Sequence, residues 1–84
     1  MDRILVNFEP FTANQIIYVY QEGAVTRITS ATVDNLTSAL KGLSTQYNIS
    51  HIDLCGNNDY LSKFKTQIST EFNENPIEID IIKK

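Results

Sequence analysis

The sequence predicts an α/β fold: a two-layer domain built on a mixed five-stranded sheet, and three observations carry that prediction. His51 to Phe72 reads as a short buried strand, a Gly56-Asn57-Asn58 turn and an amphipathic helix starting near Asp59, a unit from which parallel sheets are built. Gln15 to Tyr20 and Val25 to Thr29 are strand-like runs on either side of Glu22-Gly23, the pattern of a β-hairpin. Taken together the segments run β-β-β-α-β-α-β. Right-handed crossovers then place the strands in the order 3-2-1-4-5, with both helices on one face and the second strand antiparallel to the rest.

Each element has its own signal. In Arg3 to Phe8, Ile4, Val6 and Phe8 share one face while Leu5 and Asn7 take the other, and Pro10 ends the run. Leu5 on the second face argues for a central strand. Gln15 to Tyr20 is nearly all β-branched or aromatic, and Val25 to Thr29 alternates. Ser30 and Thr32 are N-cap candidates for a first helix, with Asp34 in its first turn. Val33, Leu36, Leu40, Leu43 and Tyr47 form one apolar stripe over about four turns. Gly42 costs that helix about 1 kcal/mol relative to alanine, so its far end is expected to fray, and Asn48 is its stop. Ile49 to Cys55 is the fourth strand. Leu61, Phe64, Ile68 and Phe72 line the buried face of the second helix, which Asn73-Glu74-Asn75-Pro76 terminates. Ile77 to Ile82 is the fifth strand.

Length and composition bound the function. Residues 1–84 make a single domain, one that buries roughly 60–65% of its unfolded surface. The formal charge of −3 offers no basic footprint for phosphates and argues against a nucleic-acid partner. Cys55 is the sole cysteine, which excludes an internal disulfide and reads as a buried small hydrophobe. One Cys and one His cannot complete a structural zinc site, so neither metal nor cofactor is expected. With no apolar signal core and no membrane-length run, the expected setting is cytoplasmic.

The strand order resembles the ribonuclease H-like fold shared by nucleases, Holliday-junction resolvases and actin-like ATPases. Arg3 to Phe8 is similar to the first strand of those proteins. Ile52-Asp53-Leu54-Cys55-Gly56-Asn57-Asn58 followed by Leu61 is similar to the strand–glycine turn–helix that actin-like ATPases place near the nucleotide. Two departures stand against carrying the activities over. Asn7 or Phe8 occupies the place of the first-strand aspartate that the resemblance implies. The glycine-rich phosphate hairpin is also missing, since Asn14 to Thr26 contains only Gly23. A second lobe needed for ATP hydrolysis does not fit in this length.

Three candidate sites emerge. Glu9, Asp53 and Asp59 could gather around a divalent cation for phosphodiester cleavage, though Asp59 also reads as a helix cap. Gly56, Asn57 and Asn58 form a candidate anion-binding turn at a helix N-terminus, with simple capping by Asn58 or Asp59 as the competing reading. His51 and Cys55 lie about 13 Å apart along a strand, too far for proton transfer. The third candidate is the sheet face opposite the helices, with Leu5, Tyr18, Tyr20, His51, Asp53, Cys55 and Ile82; Ile17 and Val19 are the alternatives for the second strand. Parallel strands are usually covered on both faces, so this surface is expected to mediate self-association or dock a protein partner. The sequence therefore points to a small non-enzymatic protein-binding or assembly module, without nuclease or ATPase turnover. The alternative is a degenerate metal-dependent nuclease or nucleotide-binding domain. Richness in Asn, Ile and Thr suggests a phage or mobile-element origin in an AT-rich bacterium.

Overall fold

Strict alternation in the first strand sets the architecture. β1 (Asp2–Asn7) buries Ile4 and Val6 completely and turns Arg3, Leu5 and Asn7 to the other side. In this computed structural model, which describes residues 1–9, 12–56, 61–72 and 77–83, β1 is the central strand of the sheet. β2 (Asn14–Gln21) pairs antiparallel to it, and β3 (Ala24–Thr32) antiparallel to β2. β4 (Ile49–Gly56) and β5 (Glu78–Lys83) extend the other side in parallel. The order is β3-β2-β1-β4-β5, as the crossover argument predicts.

Both helices lie on the face of Ile4 and Val6. α1 (Leu36–Gln46) contributes Leu36, Leu40 and Leu43, and α2 (Leu61–Glu71) contributes Leu61, Phe64 and Ile68. These pack with Phe8, Ile17, Val19, Ile52, Leu54 and Ile79 into one core. Phe8 and Phe64 meet with ring centroids 5.3 Å apart and planes tilted by 50°. Gly56 ends β4 in a tight place, because a Cβ there would lie 3.1 Å from the Phe8 Cβ, which would have to give by a few tenths of an ångström. Close packing of β1 and α2 accounts for this glycine.

Three local details differ from expectation. β3 runs on to Thr32, because its backbone pairing with β2 continues to Asn14↔Thr32 and its polar side chains tolerate an exposed edge. Ser30 and Thr32 consequently lie in a strand, and a 3-10 turn (Val33–Asn35) takes up the predicted first helical turn. Asn35 Nδ2 donates to Thr32 Oγ1 at 3.0 Å across that turn. Gly42 does not fray the helix, which continues to Gln46 and closes with Tyr47 N–H donating to the Leu43 carbonyl at 2.9 Å. The hairpin turn carries positive φ at both Glu22 (53°) and Gly23 (82°), the two-residue form that matches strand twist.

A buried polar residue holds the first connection. Gln15, 1% exposed, accepts from the Glu9 backbone N–H at 2.7 Å and donates to the Thr12 carbonyl at 3.4 Å. Pro10, Phe11, Asn57 to Tyr60 and Asn73 to Pro76 lie outside the described residues, so the expected stops at Pro10 and Pro76 do too. Among the described residues no helix is long and apolar enough to cross a membrane.

Leu40 is fully buried and Phe64 is 8% exposed, each at the centre of its helix's stripe. Leu40→Ala or Phe64→Ala is expected to cost about 2–5 kcal/mol, a large share of the total for so small a domain. Chemical denaturation of the parent and the two variants measures this directly.

Candidate metal centre

The face opposite the helices is organised by register. His51, Asp53 and Cys55 point to it from β4, since Ile52 and Leu54 point to the core. His51 is opposite Arg3 of β1 and Glu78 of β5, Asp53 is opposite Leu5 and Asp80, and Cys55 is opposite Asn7 and Ile82. On β2, Tyr20 pairs with Arg3 and Tyr18 with Leu5, which puts both tyrosines on this face and Ile17 and Val19 in the core. All seven residues expected on the open face (Leu5, Tyr18, Tyr20, His51, Asp53, Cys55 and Ile82) are thus found there.

Within that grid the polar side chains converge. His51 Nε2 lies 2.8 Å from Asp53 Oδ1 and 2.9 Å from Asp80 Oδ2. The side chains of His51 and Asp53 are only 16% and 13% exposed, while Asp80 is half exposed. Nε2 itself is shut off from water, yet neither close contact has hydrogen-bond geometry. On the other side of the ring, Nδ1 faces Glu78 Oε2 at 3.4 Å. Arg3 Nη2 donates to the remaining Asp53 oxygen, Oδ2, at 3.0 Å.

These contacts define a chemistry. Carboxylates thus flank the ring on both sides, Asp53 and Asp80 at Nε2 and Glu78 at Nδ1. Carboxylates gathered around one imidazole concentrate negative charge, which a cation seated among them would offset. One ligand atom from each of His51, Asp53 and Asp80 lies within 4.8 Å of the others. Ligands in cis positions around an octahedral ion at about 2.1 Å stand about 3 Å apart, which the two short His51 contacts match. One imidazole and two carboxylates suit divalent ions that accept both nitrogen and oxygen, such as Mn²⁺. The donor set fits a divalent cation.

The other candidates fare differently. Glu9 does not join the cluster; its carboxylate accepts from Asn7 Nδ2 at 2.8 Å, beyond the end of β1. Asp59 lies outside the described residues, as do Asn57 and Asn58 of the expected anion-binding turn, and Gly56 is packed in strand β4. The strand alternation places Glu78 and Asp80 on the open face with His51 and Asp53, but sequence reasoning did not join them into one site, because it sought partners for the histidine on its own strand. The alternation of Ile77, Ile79 and Ile81 with Glu78 and Asp80 was the signal available, once β5 was placed beside β4.

Five strands in the order 3-2-1-4-5 with two helices on one face are a ribonuclease H-like topology. No family model matches the sequence, and no curated protein does. Among solved structures the chain is similar to the nuclease domain of the large terminase subunit gp2 of bacterial virus Sf6, with a TM-score of 0.76 at 12% identity. The match covers 98% of this chain and 37% of that one, so the chain spans little more than a third of its structural neighbour.

Three expectations are thereby corrected. A non-enzymatic binding or assembly module, the absence of enzyme activity and the argument against a nucleic-acid partner do not stand against a nuclease-domain fold neighbour and a His/Asp/Asp cluster. The charge argument failed because net charge counts side chains only. A cation held by the acidic cluster would supply the positive potential that the Lys and Arg tally lacks.

Mn²⁺ added to chelator-treated protein is expected to raise the melting temperature by several degrees and to bind with a stoichiometry near one by calorimetry. His51→Ala or Asp80→Asn should abolish both effects, and Glu78→Gln should weaken binding roughly 10–100-fold.

Proposed function

We propose that this domain is a metal-dependent nuclease, cleaving phosphodiester bonds at a divalent cation held by His51, Asp53 and Asp80. The observation that carries the proposal is the water-excluded Nε2 of His51, flanked at 2.8 and 2.9 Å by two carboxylate oxygens without a hydrogen bond to either. The likeness in fold to a terminase nuclease domain supports it. When bound, such an ion polarises a phosphoryl oxygen and makes water a better nucleophile near neutral pH.

The protein residues have separable tasks in this reading. Glu78 sits beside Nδ1 at 3.4 Å, on the side of the ring away from the two aspartates, where it would help orient the imidazole toward a bound ion. Arg3 occupies one oxygen of Asp53 and leaves the other turned toward His51. Its guanidinium is more than half exposed and keeps donors for a phosphate oxygen of an incoming strand. Asp80, at the solvent side, opens the cluster to substrate. The ligands sit on β4 and β5 rather than at the end of β1, where Asn7 stands in the place of the aspartate implied by the family resemblance.

Incubation with plasmid, linear duplex, single-stranded DNA and RNA in Mn²⁺, Mg²⁺ or chelator tests the proposal. Cleavage is expected in Mn²⁺ and not in chelator, and Asp53→Asn or Asp80→Asn should lower it at least 100-fold while the fold persists. Intact substrates under every condition, or an Asp80→Asn variant that cuts at the parental rate, would refute it.

A further inference from the structure

Next to the His51 cluster the open face has a cavity of about 320 Å³, lined mainly by apolar surface from Leu5, Tyr20 and Ile82. Arg3 and Asp53 belong both to its wall and to the cluster, so the cavity and the cluster adjoin. Glu22 and Gly23 of the hairpin turn line it as well. This volume is near the lower end of the ~300–1,000 Å³ range of small-molecule pockets. An aromatic side chain, aliphatic surface and acidic residues in one lining suit a flat heterocycle that stacks and offers an exocyclic amine. Arg3, between cavity and cluster, is placed for the phosphate attached to that heterocycle.

We propose that this cavity binds one unpaired nucleobase of a polynucleotide whose adjoining phosphate lies at the His51–Asp53–Asp80 cluster, an inference that rests on the nuclease reading. A base inside a duplex cannot enter such a pocket without being unstacked and unpaired. The domain therefore prefers single-stranded substrate or strand ends. Tyr20 supplies the stacking surface and Leu5 the opposing wall.

Fluorescence anisotropy of a labelled single-stranded 12-mer and its duplex, with protein in Mn²⁺ and chelator-quenched controls for cleavage, reads binding apart from turnover. The single strand is expected to bind more tightly than the duplex. Tyr20→Ala should weaken its binding roughly 5- to 150-fold, the range for loss of one stacked base. Tyr20→Phe should retain it, and neither variant should change Mn²⁺ affinity. Leu5→Trp, which fills the cavity from its floor, gives a second route should Tyr20→Ala not fold, and should also lose single-strand binding. Equal affinity for both nucleic acids, or single-strand binding indifferent to both Tyr20→Ala and Leu5→Trp, would overturn the pocket while leaving Mn²⁺-dependent cleavage to stand by itself. Tyr20-dependent single-strand binding without any cleavage would keep the pocket and remove the nuclease reading.

Discussion

The parallel pairing of β1 with β4 is the contact on which everything else in this domain depends. Its register sets Ile4 beside Ile52 and Val6 beside Leu54 on the covered face, and Arg3 beside His51 and Leu5 beside Asp53 on the other. A slip of one residue would send the apolar set to solvent and the charged set into the core. Asp2 secures the start of this pairing: its backbone N–H donates to the Asn48 carbonyl at 3.0 Å, and its carboxylate accepts from the Asn48 N–H at 3.1 Å. Phe8 secures the far end, donating to the Cys55 carbonyl at 2.8 Å. Between these clamps the two strands cannot shift against each other.

That constraint explains how a small domain can carry a charged cluster in the middle of a sheet. The helix-covered face supplies one continuous core, which leaves the opposite face free of packing duties. Its side chains are held by neighbours across strands rather than by a second layer. Imidazole, two aspartates, a glutamate and a guanidinium are therefore brought onto one face by backbone register. Sites built on strands hold geometry better than sites on loops, because each ligand inherits the rigidity of the ladder.

The electrostatics of the face also bear on its chemistry. Glu78, Asp53 and Asp80 surround His51, and Arg3 is the basic group paired with Asp53. Such a surface repels a polyanion in the absence of a cation and receives one when the excess negative charge is neutralised. The mainly apolar cavity beside the cluster shares Arg3 and Asp53 with it.

Local pattern by itself determined the fold. Period-two runs in Arg3 to Phe8 and Ile77 to Ile82, the helical stripes through Leu40 and Phe64, and the handedness of crossovers were enough to order five strands and place both helices. They also identified the open face and put His51 and Asp53 on it, because side-chain alternation is a property of each strand alone. What they could not show is which strands bring which polar groups together. Asp80 is 29 positions from His51 and Glu78 is 27, and nothing in their spacing marks them as partners. Only the β4–β5 register puts them in contact, and only the side-chain conformations bring Nε2 within 2.9 Å of both aspartates. The core could be read from the sequence because burial follows hydrophobic periodicity, a local quantity. The cluster could not, because it is a coincidence of distant residues that tertiary pairing alone creates.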